Sequence, residues 1–236
     1  MKKVIVFVLA AVMLFSLASC RGETVSNGEK KVSVNTIEEL EETVEKDVTD
    51  TVDGLRAEYD ELIAEIDTYD KYVENIAKVN EFYDRINEEN RAISIRMREY
   101  SITYTELVLK SGSSNSDKYD AIEDLYDCIY DDACGDIYDS IYDDLMGDMY
   151  DAIYDGVVEG GYDYAPYKEW SDTSSEAYKI WSDSLSDIYD EWSDALSDIY
   201  DFWSDVSSDL LDGDTDKVNE EITKFREDID KLKEEK

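Results

Sequence analysis

The sequence predicts an all-α protein: an elongated bundle of long helices with coiled-coil-like heptad and hendecad segments. Three observations predict it. A single proline and ten glycines in 236 residues leave long stretches without a helix breaker. Apolar residues recur at alternating steps of three and four from Ile37 onward. An eleven-residue unit is written four times from Trp170 to Gly213, as WSDTSSEAYKI, WSDSLSDIYDE, WSDALSDIYDF and WSDVSSDLLDG.

The hendecad is the firmest element. Eleven residues make three turns at about 3.67 per turn, close enough to the α-helical value that a stripe with this period stays on one face. On that wheel Leu185, Ile188 and Tyr189 fall within about 65° of Trp181, and Asp183, Asp187 and Asp190 fall opposite. Trp192, Leu196, Ile199 and Tyr200 repeat the ridge against Asp194, Asp198 and Asp201. A helix over 167–211 follows, with Trp170, Trp181, Trp192 and Trp203 as a ladder that either enters the core or forms an exposed aromatic strip of the kind that contacts sugars.

Upstream, Thr36 with Glu39 three residues on forms a capping-box pattern that opens a helical region over 36–110. Ile37, Leu40, Val44, Val48, Val52, Leu55, Tyr59, Leu62, Ile66, Tyr69, Val73 and Ile76 keep heptad spacing. The polar stretch Asn87-Glu88-Glu89-Asn90 interrupts the stripe, so a helix over 36–87, a bend near 88–92 and a second helix over 92–110 are expected. The run Ser111 to Ser116 reads as a linker.

A helix expected over 117–158 carries a twelve-residue repeat written from Leu125 to Gly160: LYDCIYDDACGD, IYDSIYDDLMGD and MYDAIYDGVVEG. Apolar-Tyr-Asp triplets recur at steps of four, which drift by about 40° per step on an α-helix and so wind the tyrosines around the axis, favouring a curved or kinked helix. Aspartates four apart repel one another, which makes this stretch dependent on a partner surface and sensitive to divalent cations or lower pH. A second connector precedes Pro166, and the region 167–234 closes with a helix over 215–234 carrying Val218, Ile222, Phe225, Ile229 and Leu232.

Charge and composition bound the function. The net charge is −38, and residues 111–214 hold 30 acids against three lysines. Such a field repels phosphates, so no nucleic acid partner is expected. It suits a basic protein or peptide or a divalent cation, or it is simply a soluble surface. There is no histidine, which removes the usual general base and the commonest transition-metal ligand. No catalytic, cofactor-binding or metal-binding residue is singled out, and no cofactor is expected. Asp212-Gly213-Asp214-Thr215-Asp216 opens like a calcium loop, but Lys217 and Thr223 stand where a glycine and a bidentate acid belong. A helix-ending glycine followed by an acidic cap explains it. Cys128 and Cys134 are six apart, too far to bridge on a continuous helix. They read as small buried side chains, with a disulfide as the alternative should the chain break near Gly135.

At the amino terminus, Lys2 and Lys3 precede an apolar run from Val4 to Leu17 that is short for a membrane span and ends in Leu17-Ala18-Ser19-Cys20. Those four residues resemble the lipobox of bacterial lipoproteins. The resemblance covers this leader alone and implies a signal peptide over 1–19, diacylglyceryl and palmitate-type acylation at Cys20, and a mature chain held at the extracytoplasmic face of the cell membrane. An ordinary signal peptide with a chance cysteine is the alternative. Residues 20–35 read as a flexible tether. The sequence-level expectation is a non-catalytic spacer or protein-interaction module, with a cation-responsive or glycan-binding surface as the alternative.

Overall fold

The computed structural model describes residues 23–27 and 30–234. The fold is all-α, with one short antiparallel hairpin ahead of the helices: β1 (Glu23–Asn27) pairs with β2 (Lys30–Val34). The hairpin lies against the bundle, and Val34 at its end is buried. Residues of the stretch expected as a flexible tether form this hairpin.

Helix α1 (Ile37–Glu65) begins at Thr36, whose Oγ1 accepts from Glu39 N–H, while the Glu39 carboxylate reaches back to Asn35 N–H at 2.8 Å. Helix α2 (Tyr69–Lys110) returns antiparallel to it. The break between them lies at 66–68, with no bend near 88–92: Ile66 leaves helical geometry at φ −118° and Thr68 is extended, its hydroxyl capping Lys71 N–H. The heptad stripe conceals this turn because Ile66 and Tyr69 keep its spacing while belonging to different helices. After the turn the buried set changes phase to Tyr69, Tyr72, Val79, Phe82, Tyr83 and Ile86, and Val73 is left exposed. At 87–90 the helix continues unbroken, for a reason that lies in the tryptophan ladder below.

A composite rod occupies 115–163. Ser114 caps it in a reciprocal capping box with Asp117, and α3 (Asn115–Leu125) then gives way to wider π-helical turns at Tyr126–Ala133. These alternate with α4 (Cys134–Tyr138), a π segment at Asp139–Leu145, α5 (Met146–Met149) and a π segment at Tyr150–Val158, before a 3-10 turn at Glu159–Asp163. A π turn takes about 4.4 residues against 3.6 for an α turn, so alternating them averages close to four. Twelve residues then make three turns. The tyrosines accordingly line up along one face, and the winding expected from an α-helical wheel does not occur. At the end of the rod Gly161 is required: a Cβ there would fall 2.1 Å from the Tyr69 ring, which is held by its hydroxyl's hydrogen bond to Thr173. Gly161→Ala is expected to cost about 1–3 kcal/mol, seen as a lower midpoint in urea denaturation.

Helix α6 (Tyr167–Asp212) runs the length of the hendecads and packs on α2 and the rod. It ends at Gly213 in left-handed geometry, φ 75°, and Asp214 caps α7 (Thr215–Glu234) by accepting from Lys217 N–H. The calcium-like stretch is thus a helix-to-helix corner. The core gathers Leu40, Ile86, Ile93, Met97, Ile188, Ile199 and the apolar face of the rod.

Candidate functional site: a tyrosine seam over a tryptophan ladder

The tryptophan ladder of α6 joins the hendecad helix to the dodecad rod. Trp203 Nε1 donates to Ile122 O at 3.0 Å, Trp181 Nε1 to Met146 O at 2.9 Å and Trp170 Nε1 to Val158 O at 2.8 Å. The acceptors step by multiples of twelve while the donors step by multiples of eleven, so one unit of each repeat meets one unit of the other. The Ile122 and Met146 carbonyls also accept from the backbone N–H groups of Tyr126 and Tyr150, and the indoles take their second lone pairs. The remaining indole turns elsewhere. Trp192 is fully buried and donates to Asn90 Oδ1 at 2.7 Å. That explains the polar stretch at 87–90: Asn90, itself 1% exposed, is the ladder's missing acceptor and no break.

Above the ladder the same register builds a row of aromatic rungs. Tyr126 and Tyr130 stack at 4.5 Å, and Tyr200 from α6 faces both at 6.3 Å. Tyr138 and Tyr142 stack at 4.8 Å beneath Tyr189, 6.2 Å from Tyr142. Tyr150 and Tyr154 stack at 5.1 Å, with Tyr178 5.7 Å from Tyr154. Tyr162, Tyr167 and Trp170 close the row at its end. Tyr189 and Tyr200 were expected on the dry ridge. The structure instead leaves them about half exposed, at 52% and 45%, because they sit at the margin of the apolar arc where α6 meets the rod. Six of the eight exposed large apolar side chains among the described residues are tyrosines of this region.

Each rung has its own acid. Burial and the stacked partner raise the Tyr126, Tyr138 and Tyr150 hydroxyls above the ordinary tyrosine value, Tyr138 to about 12, and Asp131, Asp143 and Asp155 respectively add to the rise. Those three aspartates are exposed and twelve residues apart. The seam therefore presents aromatic faces and carboxylates in alternation, in the most acidic part of the chain.

Away from the seam the acids behave differently. Arg98, 1% exposed, donates to Glu191 at 3.2 Å and to Asp198 at 2.9 Å, and Glu191 also meets Arg91 and Ser94. Asp47, equally buried, accepts from Arg96 at 2.6 Å and from the Tyr100 hydroxyl at 2.9 Å. These pairs tie α6 and α1 to α2. Sequence reasoning missed them because each side chain reads as a solvated helix face, although Glu191 stands at the hendecad position where Ile180 and Phe202 are apolar. Cys128 and Cys134 are free, and burial raises the pKa of both thiols. Cys20 and the rest of the leader lie outside the described residues.

Burial is also the largest cause raising Glu41, Asp124, Asp132 and Asp198 above the ordinary carboxylate range. Neighbouring carboxylates add to it, and Arg98 opposes the rise at Asp198. A carboxyl whose folded pKa is raised binds its proton more tightly folded than unfolded. Stability is then lowest above the folded values, grows as the pH falls through them, and has its full gain near the unfolded value. Asp214, lowered by hydrogen bonds from Lys217, loses its contribution only below the ordinary range. The melting temperature followed by circular dichroism is therefore expected to rise between pH 7 and about 4.5. A fall over that interval would contradict this assignment.

Among the described residues no helix is long and apolar enough to cross a membrane, and no group of three or more acidic or thiol side chains could hold a metal ion. Comparison with protein-family models, with curated proteins and with solved structures gives no match.

Proposed function

We propose that the chain is a bacterial lipoprotein of the extracytoplasmic membrane face, anchored through acylated Cys20 and displaying a non-catalytic interaction module. The single observation that carries the anchor is the lipobox-like Leu17-Ala18-Ser19-Cys20 at the end of a short apolar run behind two lysines. Two or more acyl chains hold a protein at a bilayer durably, since each buried methylene contributes about 0.8 kcal/mol. The body suits display: long helices locked by a buried hydrogen-bonded ladder, with a repeated aromatic and acidic seam left open to solvent. Two shallow clefts among the described residues, each of about 330 Å³, are lined mainly by carboxylates, arginines and amides.

The test is metabolic labelling with radioactive palmitate in a bacterial host, followed by membrane fractionation. The full chain is expected to take up label and to sediment with membranes, and Cys20→Ser to do neither. An unlabelled wild-type chain released into the soluble fraction would overturn the anchor.

A further inference from the structure

The display reading leaves open what the seam binds, and the following inference rests on that reading. We propose that the tyrosine seam between the dodecad rod and α6 is a docking strip for an extended, arginine-rich polypeptide segment. Guanidinium groups lie on the faces of Tyr178, Tyr189 and Tyr200 and pair with Asp131, Asp143 and Asp155. Three observations converge on this partner.

The first is spacing. The three tyrosines are eleven residues apart on one helix, about 16.5 Å per rung and about 33 Å in all, which is the reach of roughly ten extended residues.

The second is charge. Residues 111–214 hold 30 acids and three lysines, and Asp131, Asp143 and Asp155 are exposed and each raises the hydroxyl pKa of one tyrosine in a stacked pair. A second copy of the chain would bring the same sign of charge and be repelled. A neutral glycan would use the rings but gain nothing from the field.

The third is the chemistry of the rungs themselves. Aromatic faces next to carboxylates suit a planar, weakly hydrated cation that stacks and donates two parallel hydrogen bonds to a carboxylate, which is arginine in preference to lysine.

The experiment is titration of the full chain, in an uncharged detergent, with fluorescently labelled deca-arginine, read by anisotropy at fixed salt. Deca-lysine and a neutral gluco-oligosaccharide serve as comparison probes. Deca-arginine is expected to bind about tenfold more tightly than deca-lysine, and more weakly as salt rises. The combined substitution Tyr178→Ser, Tyr189→Ser, Tyr200→Ser is expected to remove about tenfold or more of that affinity, at three exposed cation–π contacts. Glu42→Gln, Glu45→Gln, Asp53→Asn on α1 removes three charges away from the seam and is expected to change it by less than about threefold. Equal binding of the arginine and lysine probes would overturn the proposal on the wild-type chain alone, whether or not the serine variant folds. So would an unaffected tyrosine variant of intact helicity, and so would binding of the oligosaccharide in place of the peptide. If palmitate labelling at Cys20 persists while deca-arginine fails to bind, this inference falls and the anchor stands.

Discussion

Trp192→Ala is expected to lower stability by about 3–5 kcal/mol, a drop in melting temperature of roughly 6–20 °C for a chain of this size. Trp192 is fully buried at the crossing of α2 and α6, so truncation opens a cavity and also strips Asn90 Oδ1 of its donor. The two costs separate with further variants. Trp192→Phe keeps most of the volume and leaves the buried amide oxygen unsatisfied, at about 1–3 kcal/mol. Asn90→Leu placed on top of Trp192→Phe removes the orphaned group, and the pair is expected to melt above Trp192→Phe alone. Trp170, half-buried at the end of the row, is expected to cost less than Trp192 when replaced by alanine, because part of its ring already meets solvent. A Trp170→Ala loss equal to that of Trp192→Ala would mean that the ladder's indoles matter through something other than burial.

This ladder also shows how far the sequence could be read. The hendecad is legible because eleven residues in three turns match an unmodified α-helix, and α6 runs almost as its period implies. The dodecad is not, since a helical wheel assumes a fixed pitch and here the pitch itself changes: π turns widen the rod until twelve residues also complete three turns. The turn at 66–68 was hidden by a stripe that both flanking helices share. The supposed bend at 88–92 was a polar residue answering a tryptophan a hundred positions away. One signal for Asn90 was present, in that four repeated indoles need four acceptors when packed. Arg96, Arg98, Asp47 and Glu191 gave no such signal, because ion pairs between helices depend on which faces meet.

For the seam, the tyrosines and aspartates were conspicuous in the repeat, yet their exposure follows only from the pairing of rod and helix. That pairing is also what gives the seam its equal rungs, and hence its suitability for a chain-like partner.

Hendecad and dodecad each advance three turns per unit and so meet one to one. Single-residue deletions test it most directly, by circular dichroism melting of the full chain. Removing the exposed Asp132 turns one dodecad into eleven residues, which still make three turns once the π segment relaxes to α. Helicity and a cooperative melt within about 5 °C of wild type are expected. Removing the exposed Ser193 from α6 rotates Phe202, Trp203, Val206 and Leu210 by about 100° off the face of Trp181 and Ile188, and a loss of roughly 15 °C or more is expected. If deleting Asp132 proves as damaging as deleting Ser193, the two repeats are not matched turn for turn.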